Sequence, residues 1–256
     1  HVVKTLTRSD FHIHAFDISQ DGTKVVLMAT PTSNMSDYIN GNLYVLDLQT
    51  SKLQKLRTEK LLGGSVCCFS PDGDKICYTA SIRDKDYYNN HIQDSTIEIY
   101  DLLSEEIIQP IKDIDSTVTP IRWTEKGILI RWQHKTNYVM GLLSENGTVE
   151  MRSEESFMMD PSITKDGNHI AYLKAASNEI FEVYLDDQKI TNENNYFNRK
   201  LKSNREIIKW KSSDGLEIEG ILSTPVDFDP TKNISFISSD PWLTSMGILS
   251  DIFKLL

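Results

Sequence analysis

Short apolar runs separated by polar turns recur along the first 190 residues of the chain. Four segments share one order, an apolar strand, a polar turn with a glycine and a second apolar strand; they are residues 16–30, 68–81, 121–133 and 161–175. Gly22, Gly73, Gly127 and Gly167 mark the same point in each, at intervals of 51, 54 and 40 residues. Periods of this size are typical of repeats in which each copy is one supersecondary unit.

The turn residues of these copies predict hairpins. Asp-Gly pairs at 21, 72 and 166 are expected to supply the positive φ angles of a tight turn, whereas the third copy carries Lys126 before its glycine. A second strand–turn–strand segment follows each copy, at residues 42–56, 95–111, 137–152 and 178–191. In these segments apolar and polar residues alternate with the period of two that a half-buried strand requires. Two hairpins per repeat predict a four-stranded antiparallel sheet, and radial repetition of such sheets is a β-propeller. The sequence therefore predicts a mainly β protein with four propeller blades.

Two polar insertions interrupt the pattern between the second and third strands of the first two blades. They span residues 30–41 and 83–94. Loops of this length are either solvated and variable or carry contacts at a rim of the propeller. Tyr87, Tyr88 and His91 are the candidate contact residues of the second insertion.

The charge balance changes which partners are expected. The chain has 256 residues and a net charge of −10, so nucleic-acid binding is disfavoured. It contains no apolar run of about 18 residues, which excludes a membrane helix. Without a signal-peptide pattern the expected location is cytoplasmic. A secreted or periplasmic location stays open because the chain begins with His1. No sequence pattern for a cofactor is found, and none is expected.

Cysteine and histidine residues offer the candidate metal and redox chemistry. Cys67, Cys68 and Cys77 lack the paired spacing of a zinc site and fall on both arms of a predicted hairpin, which favours core thiols over a cross-strand disulfide. His12 and His14 would share one face of a strand. No third ligand has a recognisable spacing, so a rim or core pair is favoured over a metal site.

The pattern changes after residue 192. A polar stretch at 193–204 is predicted to be a linker, and a hairpin of different character follows from residue 205. The order of its key residues resembles the start of the α/β-hydrolase domain in the prolyl oligopeptidase family of serine peptidases, in particular its acylaminoacyl-peptidase-like and dipeptidyl-peptidase-like branches. These residues are Trp210, Ser212, Asp214, Gly215, Ile218, Gly220, Leu222 and Pro225. The blades that precede the hairpin fit the propeller of the same family.

The resemblance implies a seven- or eight-bladed propeller that filters short peptides toward a buried Ser-Asp-His triad. Two features of this sequence depart from the family pattern. Ser238, Ser239 and Asp240 stand where the family has the His-Gly-Gly of its oxyanion hole, and no G-x-S-x-G nucleophile motif occurs in the 256 residues. The chain is therefore predicted to have no catalytic residues of this type and to be inactive alone. The adjacent glutamates Glu105-Glu106 and Glu154-Glu155 are predicted to lie in solvated turns.

Two hypotheses of function follow. In the first, residues 1–192 are part of a peptidase propeller, 193–204 a linker and 205–256 the first strands of a truncated or degenerate hydrolase domain. The parent enzyme would hydrolyse short peptides. In the second, the chain is a non-catalytic propeller or pseudoenzyme that binds a peptide or protein partner. Four blades of a larger ring would leave sheet faces unpaired, so self-association is expected, or completion by the remainder of a longer protein.

Overall fold

The computed structural model describes residues 5–7, 10–61, 66–81, 95–111, 114, 116–153, 156–175, 180–198, 204–225, 227–229 and 231. The chain divides into two compact units. Unit 1 comprises 1–174 and 182–192, and unit 2 comprises 175–181 and 193–256.

Unit 1 contains four four-stranded antiparallel sheets, each formed by strands that are consecutive in the sequence. Blade 1 has β1 (His12–Ile18), β2 (Lys24–Thr30), β3 (Gly41–Asp47) and β4 (Leu53–Leu61). Blade 2 has β5 (Cys67–Phe69), β6 (Lys75–Ser81), β7 (Ser95–Asp101) and β8 (Ile107–Ile108). Blade 3 has β9 (Val118–Thr124), β10 (Gly127–His134), β11 (Asn137–Leu143) and β12 (Val149–Met151). Blade 4 has β13 (Phe157–Ile163), β14 (Ile170–Ala175), β15 (Glu182–Leu185) and β16 (Gln188–Lys189). The prediction of four blades, each made of two successive hairpins, is confirmed.

Three apolar cores lie between consecutive blades. Val26, Met28, Phe69 and Tyr78 belong to the core between blades 1 and 2. Ile97, Ile99, Trp123 and Ile128 belong to the core between blades 2 and 3. Leu129, Met140, Met158 and Ile170 belong to the core between blades 3 and 4. Each inner sheet is therefore buried on both faces, and β7, for example, is buried along almost its whole length although it contains polar residues.

The turn between the first and second strands has the same structure in blades 1, 2 and 4. In blade 1, Ser19 donates from its hydroxyl to Asp21, at 2.7 Å, and Asp21 accepts the backbone N–H of Thr23, at 2.9 Å. Gly22 has a φ of 70°. The prediction of positive φ holds for the glycine of each Asp-Gly pair but is wrong for the aspartate, since the only positive-φ residues of the three pairs are the glycines. The aspartate instead stabilises the turn through its carboxylate, which accepts a backbone N–H group of the turn.

The three cysteines are buried and their thiols are free. Cys67 belongs to the core between blades 1 and 2, whereas Cys68 and Cys77 belong to the core between blades 2 and 3. Cys68 lies opposite Cys77 in the β5–β6 pairing. The prediction of core thiols is confirmed.

Unit 2 contains a short helix, α1 (Asn195–Asn198), and a hairpin of β17 (Asn204–Lys211) and β18 (Glu217–Thr224). In the register of this hairpin Trp210 lies opposite Ile218. A Cβ atom on Gly220 would lie 2.9 Å from the Trp210 ring, so the indole requires a residue without a side chain at this position. No helix among the described residues is long and apolar enough to cross a membrane.

Candidate functional site

A β-bulge in the first strand of blade 1 creates the most distinctive side-chain cluster among the described residues. His12 pairs with Thr30, Ile13 with Ala29 and Ala15 with Met28, so His14 is an extra residue in β1. Bulges bend a strand locally and redirect its side chains. The imidazoles of His12 and His14 meet edge to face, with ring centroids 4.7 Å apart. The expectation that the two histidines share a face is thus confirmed, although a bulge rather than simple alternation brings them together.

Hydrogen bonding defines which nitrogen of His14 carries its proton. The Thr30 hydroxyl donates to the carbonyl of Thr32, at 2.7 Å, so its oxygen is left to accept from His14. His14 Nε2 lies 2.8 Å from that oxygen. His14 is therefore the Nε2–H tautomer, and its Nδ1 is an acceptor.

Burial lowers the pKa of His14, and the neighbouring His12 lowers that pKa further because two imidazolium charges would repel. The His14 ring is consequently neutral at pH 7 and can both donate and accept hydrogen bonds. No group of three or more His, Cys, Asp or Glu side chains in the described part of the chain is arranged to hold a metal ion.

The insertion of blade 1 extends the cluster. It contains a 3-10 helix (Met35–Asn40), and the Tyr38 ring lies edge-on to His14 with centroids 5.8 Å apart. The Thr32 hydroxyl donates to the carboxylate of Asp37, at 2.5 Å. Met35 is 83% exposed and Tyr38 is 37% exposed. We call His12, His14, Thr30, Met35 and Tyr38 the rim cluster; its loop is held by its own hydrogen bonds and presents an apolar and an aromatic side chain outward.

The predicted contact residues of the second insertion, Tyr87, Tyr88 and His91, lie outside the described residues. That insertion joins β6 to β7, whose ends Ser81 and Ser95 pair. The second insertion therefore joins the second and third strands of blade 2, just as the loop of the rim cluster joins the second and third strands of blade 1. The prediction that both insertions join the second and third strands is confirmed.

Of the two glutamate pairs, the structure describes only Glu105 and Glu106. Glu105 and Glu106 are exposed in the turn between β7 and β8, where Asp101 accepts the N–H groups of Leu103 and Ser104, each at 2.9 Å. The prediction of a solvated turn is confirmed for this pair, and Glu154-Glu155 lies outside the described residues.

One histidine–carboxylate contact was not anticipated from the sequence. His169 Nδ1 lies 2.9 Å from Asp186 Oδ2, with side chains 60% and 44% exposed. Asp186 also accepts the N–H of Ile170, at 2.9 Å. Because the partners are 17 residues apart, only the pairing of β14 with β15 could have revealed this contact.

Comparisons with known proteins agree with this geometry. TolB from Acinetobacter baumannii is similar over 86% of this chain and 54% of its own, with 19% identity and a TM-score of 0.55. The fold of unit 1 is that of a β-propeller.

Peptidases are among the similar structures. A prolyl endopeptidase has 11% identity and a TM-score of 0.56 over 86% of this chain and 32% of its own. Pyrococcus horikoshii acylaminoacyl peptidase has 15% identity and a TM-score of 0.51 over 87% of this chain and 45% of its own. The predicted resemblance is thus confirmed at the level of fold. The chain spans between a third and about half of the length of these structures. No protein-family model matches the sequence, and no curated protein matches it either.

Proposed function

We propose that this chain is the propeller portion of a serine peptidase of the prolyl oligopeptidase type, together with the first hairpin of its hydrolase domain. The observation that carries the proposal is the order of the elements, four consecutive blades followed by a separate β17–β18 hairpin. Likeness to solved peptidases supports the same conclusion. The proposed division is a propeller at 1–192, a linker at 193–204 and hydrolase strands at 205–256, within a parent ring of more than four blades.

In this proposal the propeller gates the access of short peptides, and the catalytic triad is not part of this chain. Residues 1–256 lack the G-x-S-x-G motif that raises a nucleophilic serine toward its base. The rim cluster supplies the peptide contacts. A neutral His14 offers an acceptor for a peptide N–H, and Tyr38 and Met35 offer apolar surface for a side chain.

We propose a cytoplasmic location, the one expected from the sequence; the alternative is a secreted or periplasmic location.

The experiment has two parts. Chromogenic acyl-peptide and dipeptide anilide substrates are expected to give no turnover with this chain. Fluorescently labelled short peptides are expected to bind, as measured by anisotropy, and Tyr38→Ala is expected to weaken that binding. Leu103→Ala serves as the matched control, because Leu103 is 82% exposed in a turn away from the rim cluster. Turnover that a serine-directed inhibitor abolishes would contradict the missing triad, and peptide binding that Tyr38→Ala leaves unchanged would contradict the rim contacts.

A second function is favoured by the exposure of Met35. A methionine that is 83% exposed on a loop held by its own hydrogen bonds suits recognition of a partner protein. Under this alternative the chain is a non-catalytic binding module. It predicts that a folded partner, but no short peptide, binds in a manner that Met35→Ser weakens.

A further inference from the structure

The hairpin of β10 and β11 has a charge opposite to that of the chain. Residues 126–144 include Lys126, Arg131 and Lys135 and no acidic residue, whereas the whole chain has 37 acidic residues and a net charge of −10. Arg131 lies near the tip of this hairpin and is partly buried. The tip joins the second and third strands of blade 3, the same connection that carries the loop of the rim cluster in blade 1. A basic hairpin in an acidic protein favours an anionic ligand at this place.

Arg131 is on the side of blade 3 that faces blade 4. It follows Leu129 by two residues in β10, and Leu129 belongs to the core between these two blades. Met28 in blade 1 and Thr79 in blade 2 hold the equivalent place, three positions after the residue that pairs with the last one before the first turn. They are 1% and 7% exposed. The core between blades 3 and 4 therefore ends in a charged group where the other two cores end in a buried side chain.

The guanidinium of Arg131 has aromatic neighbours but no anionic partner. It lies over the Tyr138 ring, 5.0 Å from the ring centroid. The Phe157 ring, 45% exposed, lies 6.1 Å from that of Tyr138. Arg131 forms no ion pair and donates no hydrogen bond to any residue that the structure describes, whereas Arg152 of the same blade pairs with Glu150, at 3.3 Å. We call Arg131, Tyr138 and Phe157 the arginine patch.

The chemistry of the arginine patch suits one end of a peptide. A guanidinium that stacks on an aromatic ring keeps the N–H groups at its edge, and these match the two oxygens of a carboxylate. A partly buried cation without a counter-charge is destabilising, and a bound carboxylate would remove that cost. The rings of Tyr138 and Phe157 offer apolar surface beside the cation.

The ligand that combines both features is the last residue of a peptide. Its main-chain carboxylate and its side chain leave the same carbon atom, so an apolar C-terminal residue presents an anion and an apolar group side by side. An aspartate or glutamate side chain carries its carboxylate on a stem with no apolar branch, and it would leave the two rings of the patch uncovered.

We propose that the arginine patch binds the free C-terminal carboxylate of a short peptide whose last residue is apolar. The inference rests on the proposed function in that the ligand is a short peptide, but it assigns a contact to residues outside the rim cluster. Arg131 donates charge-assisted hydrogen bonds to the carboxylate, and Tyr138 and Phe157 contact the last side chain. The contact is non-covalent, and it selects peptides by their C-terminal end.

The test compares two peptides that differ only at the C-terminus. A short peptide that ends in phenylalanine and carries a fluorophore at its N-terminus is made as the free acid and as the amide, and anisotropy measures its binding to the whole chain. The wild type is expected to bind the free acid about tenfold more tightly, because the amide cannot form the charge-assisted hydrogen bonds with Arg131.

Substitutions of arginine connect this preference to the patch. Arg131→Gln is expected to bring the two affinities within about twofold of each other, and Arg131→Lys to leave an intermediate preference because lysine keeps the charge without the planar fork. Arg152→Gln is the matched control that leaves the preference unchanged, because Arg152 already donates to Glu150 and to the Asn168 carbonyl. Circular dichroism and thermal melts establish that each variant is folded.

The outcomes separate this inference from the proposed function. Equal binding of acid and amide by the wild type, or a preference that Arg131→Gln leaves intact, would overturn the inference while peptide binding itself stands. A third peptide, amidated and with glutamate at an inner position, is expected to bind as weakly as the plain amide. If it bound as tightly as the free acid, the patch would recognise acidic side chains and the C-terminal assignment would be wrong. Failure of all three peptides to bind would overturn both the inference and the proposed function.

Discussion

Two glycines with positive φ differ in what surrounds them, and single substitutions can test this difference. Gly22 has a φ of 70° and no atom within 4 Å of an added Cβ. Gly147 has a φ of 91°, and an added Cβ would lie 2.4 Å from the carbonyl oxygen of Pro110. The first position thus resists a side chain through backbone conformation alone, and the second through conformation and a clash.

Gly22→Ala is expected to lower the free energy of unfolding by about 1–2 kcal/mol, the cost of a left-handed backbone for a residue with a Cβ. Gly147→Ala is expected to cost a further 1–3 kcal/mol or so, because the chain must shift to relieve the contact with Pro110. Urea unfolding of the two variants measures the difference. Equal destabilisation would mean that the Pro110 carbonyl moves without cost.

The sequence identified the turn glycines but not their surroundings. Gly22 was predictable because Asp-Gly between two apolar runs is a local signal. The approach of Gly147 to Pro110 was not, because it depends on the packing of blade 3 against blade 2. The same holds for the hydrogen bond that the Phe69 N–H donates to the Asp17 carboxylate, which joins residues 52 positions apart.

The recurring turn makes the stability of the hairpins depend on pH. Hydrogen bonds from Ser19 and Thr23 lower the pKa of Asp21 to about 2, and hydrogen bonds from Thr164 and Asn168 lower that of Asp166 to about 2. Asp72 and Asp214 have lowered pKa values through the equivalent bonds from Ser70 and Ser212.

Each of these carboxyls binds a proton more weakly in the folded state than in the unfolded chain. Their contribution is therefore fully present above the unfolded pKa of about 4 and is lost as the pH falls toward about 2. The urea midpoint of the wild type is expected to fall across this window, and that of Asp21→Asn with Asp166→Asn to fall less steeply. Asparagine is a suitable replacement because Asn146 already accepts the Ser144 hydroxyl, at 2.5 Å, in an equivalent turn. Identical pH profiles would show that these turns contribute nothing to acid stability.

At this scale the sequence predicted the hairpins and the alternation of their strands. It did not predict the bulge at His14, because FHIHAF alternates as a regular strand would, and only the pairing with β2 shows the extra residue. The sequence therefore predicted only part of the rim cluster. Two histidines on one face were expected, whereas the contact of His14 with Tyr38 depends on the path of the insertion.

The cores between the blades of unit 1 are separate, which predicts that the unit unfolds locally, one core at a time. Leu43 and Cys67 lie in the core between blades 1 and 2, and Ile128 and Cys77 in the next core. Burial raises the pKa values of the Cys67 and Cys77 thiols, so alkylation requires opening. Stacked repeats contact only their neighbours, so the two cores are expected to open separately.

Variants that retain only Cys67 or only Cys77 measure this separation. Leu43→Ala is expected to accelerate alkylation of Cys67 more than that of Cys77, and Ile128→Ala to do the reverse. Mass spectrometry of iodoacetamide-treated protein gives both rates. If either substitution accelerates both thiols equally, unit 1 opens as one cooperative body.

The number and order of the blades were predictable from the sequence because each repeat carries its own turn and alternation. The chemistry that a whole peptidase needs was not, because residues 1–256 contain no nucleophile motif, and the insertion with Tyr87, Tyr88 and His91 lies outside the described residues. The function therefore depends on what the blades bind, which the sequence of each blade does not reveal.

The outermost strands of the four sheets differ greatly in length. Those of blades 2, 3 and 4 have two, three and two residues, whereas β4 in blade 1 has nine. A long unpaired edge is a template for cross-β growth, and charged side chains on it resist such growth. The β4 sequence LQKLRTEKL is rich in charged residues. Amyloid-like aggregation of this protein is therefore expected to begin at β4, and the high charge of that sequence is expected to slow it.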